Sequence, residues 1–376
     1  MMKILVSVVI CGVLVAPGGA AARSDTPTVR LLREAVQRSG FPARRAVQTA
    51  RISGARYDRL LRSAYSREHP RTLQQVEATL YDSLGLKQKG SPRSRSASRA
   101  WYDASQRKLL LRAAPTPGKR PVLHELVRAL IDQNFNLRRL RGLRLRDRDR
   151  ALAAHAIVDG TAALASGLRP SAPRRDPRDR FLQLEREAGV GHGRSLAAEL
   201  RYLGGGKAIA TALRTFPQTT EQLLHIDKFL ERERALTVRL PNRVGDSTLS
   251  KSETFGELDL RNLLRAFGLR SAAGAAAGWG GGRLALYRLP DGSTVTALVL
   301  RWDDIHEATE WRSTAMDFVA AAFPGLTAAD CPPVDRCWSG PRELASAVLG
   351  TRAVFVSGPG AANAAAQLLS HPQPDL

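Results

Sequence analysis

The spacing of apolar residues changes character once along this chain, near Gly245, and that change limits the fold more than any other feature. Before it, Val29–Gln37, Ala43–Arg51, Ala55–Tyr65 and Arg71–Leu84 carry apolar residues three and four apart, the pattern of amphipathic helices. The same spacing predicts helices over Pro121–Asn134, Asp149–Ser166, Arg178–Ala188, Leu196–Leu203 and Lys207–Phe216. After it come a helix at Leu258–Phe267, alternating strands Arg283–Leu289 and Thr294–Trp302 around a Pro-Asp-Gly turn, and a helix at Asp304–Phe323. A strand near Thr351–Ser357 and a helix near Ala361–Leu369 close the chain. The expected class is α+β: a mainly helical domain with a small hairpin, followed by a smaller α+β domain with an antiparallel sheet.

The chain is longer than one core usually supports, so it divides. Residues 23–86 read as basic N-terminal helices and 87–99 as a polar linker, since Lys87–Arg99 has no apolar residue except one alanine. Residues 100–244 form the main domain, entered through Ala100–Ala113, two short strands around an Asp-Ala-Ser-Gln turn. Residues 245–376 form the last. The glycine run Gly278–Gly282 is followed by neither a lysine nor a helix start, so it reads as a close approach to a strand and not as a phosphate cradle.

Met1–Ala22 has Lys3, an apolar run from Ile4 to Ala16 and a small-residue exit, the layout of a cleaved export signal. The run is too short to span a bilayer, and Cys11 lies within it without the small residue expected before a lipidated cysteine. Export to the extracellular space, cell wall or periplasm is expected. In such an oxidising compartment Cys331 and Cys337, in D-C-P-P-V-D-R-C-W, most simply form a disulfide. Their spacing is too wide for a C-x-x-C metal knuckle.

The net charge of +22 is uneven. Between Arg23 and Arg150 there are 30 basic and 11 acidic residues, whereas the remainder is nearly neutral. Such a surface draws polyanions, so a peptide or an anionic cell-envelope polymer is compatible as a partner. The arginines show no interleaved aromatic pattern of the kind that stacks on bases, which argues against specific recognition of nucleic acid. The arginine bias is also what genome composition alone produces.

The chemistry concentrates in V-L-H-E-L-V-R-A-L-I-D-Q-N-F, Val122–Phe135. It begins as the zinc helix H-E-x-x-H, in which two imidazoles one turn apart bind the ion and the glutamate acts as base. His124 and Glu125 occupy the first ligand and base positions, but the second ligand position is Arg128. A guanidinium stays protonated and offers no lone pair, so half an active site remains. Across from it, A-L-A-A-H-A-I-V-D-G-T-A-A-L offers Asp159 as a carboxylate from a second helix. Without a cation, Glu125 and Asp159 would converge unneutralised, and Arg128 can reach both. It therefore reads as an internal substitute for the metal.

These segments resemble a family of exported bacterial gluzincin-type metallopeptidases. The likeness lies in H-E-L-V-R-A-L-I-D-Q-N-F-N-L at His124–Leu137, V-D-G-T-A at Val158–Ala162, T-T-E-Q-L-L-H at Thr219–His225 and W-G-G-G-R-L-A-L at Trp279–Leu286. It implies a zincin-like fold for residues 100–244, His124 as a metal ligand and Glu125 as the general base. Three positions depart from the pattern: Arg128 for histidine, Asp159 for glutamate and Thr161 for an acidic residue. The resemblance thus implies a degenerate enzyme with no cofactor.

A rival ligand set of His124, His155 and Asp159 would restore zinc and activity, since His155 lies one turn before Asp159. Glu221 and His225 form a further polar pair behind such a site, with Thr219 and Gln222 as a capping box. Asp132 and Gln133 are expected to hold neighbouring backbone. Three functions remain open at this point: an inactive envelope binding or structural module, an active peptidase with unusual ligands, and a basic protein docking on anionic polymers.

Overall fold

The computed structural model describes residues 27–87 and 99–374. The export signal expected at Met1–Ala22, and nearly all of the polar stretch 87–99, lie outside them. Among the described residues no helix is long and apolar enough to cross a membrane. The fold is α+β, helical first and sheet-rich after residue 242.

Helix α1 (Pro27–Ser39) is followed not by a second helix but by strand β1 (Gln48–Ile52), which corrects the reading of Ala43–Arg51 as helical. Local spacing lost to tertiary pairing there. Val47, Thr49 and Ile52 are β-branched, and strand partners are available downstream. Helices α2 (Gly54–Glu68) and α3 (Arg71–Ser83) come next. Then β2 (Ala100–Asp103) and β3 (Lys108–Arg112) form the expected hairpin, Tyr102 opposite Leu109. Asp103 Oδ1 accepts the backbone N–H groups of Ser105 and Gln106 and so closes the turn. β1 joins β3 in parallel, giving the order β1-β3-β2, so residues on both sides of the 87–99 stretch share one sheet.

Helix α4 (Lys119–Phe135) packs on this sheet and on α6 (Arg148–Ser166), reached through the short α5 (Leu143–Arg146). Leu123, Leu126, Val127, Leu130 and Ile131 of α4 share one core with Ala153, Ala154, Ile157 and Val158 of α6. Each large side chain buried there contributes about 1.5–3 kcal/mol. Alanine on α6 keeps the two helices close. Beyond α7 (Pro177–Arg186), a π-helical turn at Gly189–Gly193 enters α8 (Arg194–Thr215), which breaks at Gly204–Gly205 where two helices were expected. Helix α9 (Thr220–Leu224) is capped by Thr219, whose hydroxyl accepts the Gln222 N–H at 3.1 Å. The Gln222 side chain returns to the N–H of Gln218 and not of Thr219, so the capping box is displaced by one residue. Helix α10 (Ile226–Glu231) follows.

The second half is an eight-stranded antiparallel sheet. Its order is β4 (Arg243–Val244), β5 (Ser247–Thr254), β6 (Trp279–Arg288), β7 (Thr294–Trp302), β11 (Arg352–Ser357), β10 (Leu344–Leu349), β9 (Val334–Ser339) and β8 (Thr327–Cys331). Helices α11 (Glu257–Ala266) and α12 (Ile305–Ala322) cover the face carrying Leu298 and Leu300, and α13 (Ala361–Ser370) covers the face carrying Ala297 and Val299. Because both faces are covered, β7 reads as a nearly continuous apolar run. The glycine run lies inside β6, where a Cβ at Gly281 would stand 2.3 Å from the Leu236 carbonyl oxygen. Cys331 and Cys337 form the disulfide, Cα atoms 5.9 Å apart, across the β8–β9 hairpin.

Candidate functional site

Three polar residues of α4, His124, Glu125 and Arg128, are set into its interface with β2 and α6. His124 and Glu125 are both buried. Glu125 Oε2 accepts the Tyr102 backbone N–H at 2.8 Å, and its Oε1 lies 3.1 Å from His124 Nδ1. Arg128, one turn on, places Nη1 3.5 Å from Glu125 Oε2 and Nε 3.1 Å from Asp159 Oδ1 on α6. The Asp159 contact is an ion pair without hydrogen-bond alignment. His124 Nε2 lies 3.2 Å from the Asp159 carbonyl oxygen. One guanidinium thus bridges the carboxylates of two helices.

The charges follow from this geometry. Burial raises the Glu125 pKa, but Arg128, His124 and the Tyr102 N–H together hold it below the usual carboxylate range. Burial opposes the Arg128 charge, yet Asp159 and Glu125 more than restore it and raise its pKa. Both ring nitrogens of His124 face oxygen acceptors, so both contacts are bonds only for a ring that donates from both. Neither nitrogen directs a lone pair into open space.

These residues do not fit a zinc ion. The position one turn after His124 is filled by a cation, and both nitrogens of His124 already face oxygens of the chain, those of Glu125 and Asp159. The donor atoms of His124, His155 and Asp159 do not come within 4.8 Å of one another, so the rival ligand set is not assembled. His155 is exposed and makes no hydrogen bond or ion pair with a described residue. Its place one turn before Asp159 gives shared helical phase, but its donor atoms are not brought together with those of His124 and Asp159.

The flanking motif residues are structural. A Cβ on Gly160 would lie 1.9 Å from the Gly193 carbonyl carbon, and one on Gly193 would lie 1.9 Å from the Ala156 oxygen. α6 therefore packs backbone to backbone on the π-helical turn, which positions Asp159 beside Arg128. Thr161 donates to the Ile157 carbonyl of its own helix at 2.8 Å. Asp132 accepts the Tyr102 hydroxyl and the Leu137 N–H, both at 2.8 Å. Gln133 Oε1 accepts the N–H of Arg44 at 2.8 Å.

Glu221 and His225 do not form the expected pair, because their bonds diverge. His225 Nε2 binds Glu257 Oε1 at 2.9 Å, which raises the pKa of the ring. Glu221 is an ion-pair partner of Lys228, whose ammonium also meets Glu233 at 2.9 Å and Asp303. Oxygens of Glu221, Glu233 and Asp303 lie within 4.8 Å of one another, a carboxylate triplet of metal-binding geometry with a lysine at its centre. Neither Glu221 nor His225 contacts His124, Glu125, Arg128 or Asp159 by a hydrogen bond or ion pair.

Sequence reading also missed a buried network at the junction with the sheet. Arg148, 2% exposed, meets Asp259, Glu185 at 3.2 Å and Glu253 at 3.9 Å, while Arg144 pairs with Glu77 and Glu185. Beside it Asp149 Oδ2 accepts the Thr220 N–H at 2.9 Å. Burial pushes Glu253 and Asp149 up to about 7. Only the run of arginines before residue 150 hinted at it, and nothing local named the partners.

Fold and site together define an α+β protein in which the side chains of Arg128 and Lys228 lie between facing carboxylates. A family model described as Domain of unknown function (DUF8575) matches residues 242–367, which is the sheet unit and does not include α4 or α6. No curated protein and no solved structure matches the chain.

Proposed function

We propose that this chain is an exported, catalytically inactive relative of the gluzincin metallopeptidases that serves as a binding or structural module in the cell envelope. The carrying observation is the position of Arg128, whose guanidinium spans Glu125 and Asp159 at 3.5 and 3.1 Å. A metal-activated water needs an open coordination position and a base free to take its proton. Here Glu125 is engaged with Arg128, His124 and the Tyr102 N–H. That last bond also uses the outward N–H of the hairpin strand nearest α4, the group an extended substrate would pair with.

Export rests on the leader-like start of the sequence and is supported by the disulfide. The test is metal content together with peptide hydrolysis for the wild type and for Arg128→His. Zinc uptake in the variant alone supports the reading. Stoichiometric zinc in the wild type, or hydrolysis by it that a chelator abolishes, sinks it.

A further inference from the structure

The small sheet has two edges in different states. On β2 the outward Tyr102 N–H is taken by Glu125. On β1, among the described residues, backbone hydrogen bonds run only toward β3 and to Ala113 just beyond it. Gln48, Thr49 and Arg51 are exposed, so no described element lies over this edge. A free row of N–H and C=O groups is a template for another strand.

The edge is also held in place. Gln133 accepts the N–H groups of Arg44 and Arg45 at 2.8 and 3.2 Å and donates to the Arg45 carbonyl at 3.0 Å. Asn134 donates to the Pro42 carbonyl at 2.9 Å. At the far end Ser53 caps α2 through the Arg56 N–H. The strand is therefore presented with its ordering cost already met on both sides.

Its charge selects the occupant. Between Glu34 and Asp58 the sequence carries five arginines and no acidic residue. Arg44, Arg45 and Arg51, all exposed, lead into or lie on the strand. We infer that β1 is a docking edge for an extended acidic peptide, which adds as a fourth strand of the small sheet by main-chain pairing while its carboxylates meet these arginines. Pairing supplies register and the guanidinium groups supply selectivity. The inference does not rest on loss of catalysis, because the edge is remote from Glu125 across the sheet order.

The experiment is fluorescence anisotropy of the whole protein with a labelled peptide of alternating Glu and Val, compared with its Lys–Val counterpart. Two further versions carry N-methyl groups on one or the other alternate set of residues, which removes one row of donors without touching the protein. The acidic peptide is expected to bind about tenfold or more tightly than the basic one, and one N-methylated version to lose about tenfold while the other does not. Arg45→Glu combined with Arg51→Glu should lose at least as much, with the fold checked by circular dichroism. Amide exchange should slow at Gln48–Ile52 on binding. Affinity indifferent to both N-methylations means charge attraction alone and overturns the proposal, as does exchange protection that maps elsewhere or an absence of binding.

Discussion

Arg128 Nε stands 3.1 Å from Asp159 Oδ1, an ion pair that joins α4 to α6. The same guanidinium reaches Glu125, so one positive charge serves two carboxylates that face each other across a helix interface. A buried charge is tolerated when paired and costly when its partner is removed. This pairing lets Glu125 stay buried beside His124 with its charge neutralised from within the chain.

Replacing Arg128 by alanine leaves the buried Glu125 without its cation and is expected to lower stability by about 3 kcal/mol at neutral pH. The Glu125 pKa is depressed in the fold, so its contribution is complete above the ordinary carboxylate value and fades as pH falls through the folded value. The deficit of Arg128→Ala should therefore shrink in acid. Urea denaturation of both proteins at neutral and acidic pH checks this; an unchanged midpoint at neutral pH would refute it.

Gly160→Ala should destabilise by about 3 kcal/mol or more, because the new methyl would stand 1.9 Å from backbone at Gly193 with nowhere to move. Gly191 lies in the same π-helical turn with open space around its Cα. Gly191→Ala is the control and should be nearly neutral. Thermal melts of the two variants separate close packing from a general intolerance of the turn to alanine.

Much of this was legible where local pattern and tertiary environment agree. α4, α6 and the hairpin fall within a few residues of their expected bounds, and the break of α8 at Gly204 follows from its glycines. The reach of Arg128 to two carboxylates was also readable, since helical phase fixes 124, 125 and 128 on adjoining faces. β1 was not, because its spacing mimics a helix and only β3 makes it a strand. β5, S-T-L-S-K-S-E-T, and β8, T-A-A-D-C, carry too few apolar residues to announce themselves. The Arg148 network joins residues more than a hundred positions apart, a distance no spacing rule spans.

That network should make stability depend on pH across neutrality. Burial and, for Asp149, the charge of Asp259 raise Asp149 and Glu253 to about 7, above their values in an unfolded chain. The folded state thus holds protons that the unfolded chain has released between about pH 4 and 7, and stability falls as pH rises through that window. The loss is on the order of 4 kcal/mol for Asp149. Asp149→Asn, which keeps an acceptor for Thr220, should make the profile shallower between pH 5 and 8 in chemical denaturation, with Glu253 carrying the remaining slope. A variant with the wild-type slope would show that Asp149 does not carry it.

Lys228 offers the converse of the Arg128 test, because its removal uncovers a carboxylate triplet. The Lys228 ammonium meets Glu221, Glu233 and Asp303 at once, so Lys228→Ala should destabilise by about 2 kcal/mol. The oxygens of Glu221, Glu233 and Asp303 within 4.8 Å of one another suit a hard divalent cation once the ammonium is gone. Millimolar calcium should then raise the melting temperature of Lys228→Ala, a chelator should reverse the rise, and the wild type should respond to neither. An equal calcium response in both proteins would place the binding away from this triplet, and a variant that melts with the wild type would show that Lys228 is not what neutralises it.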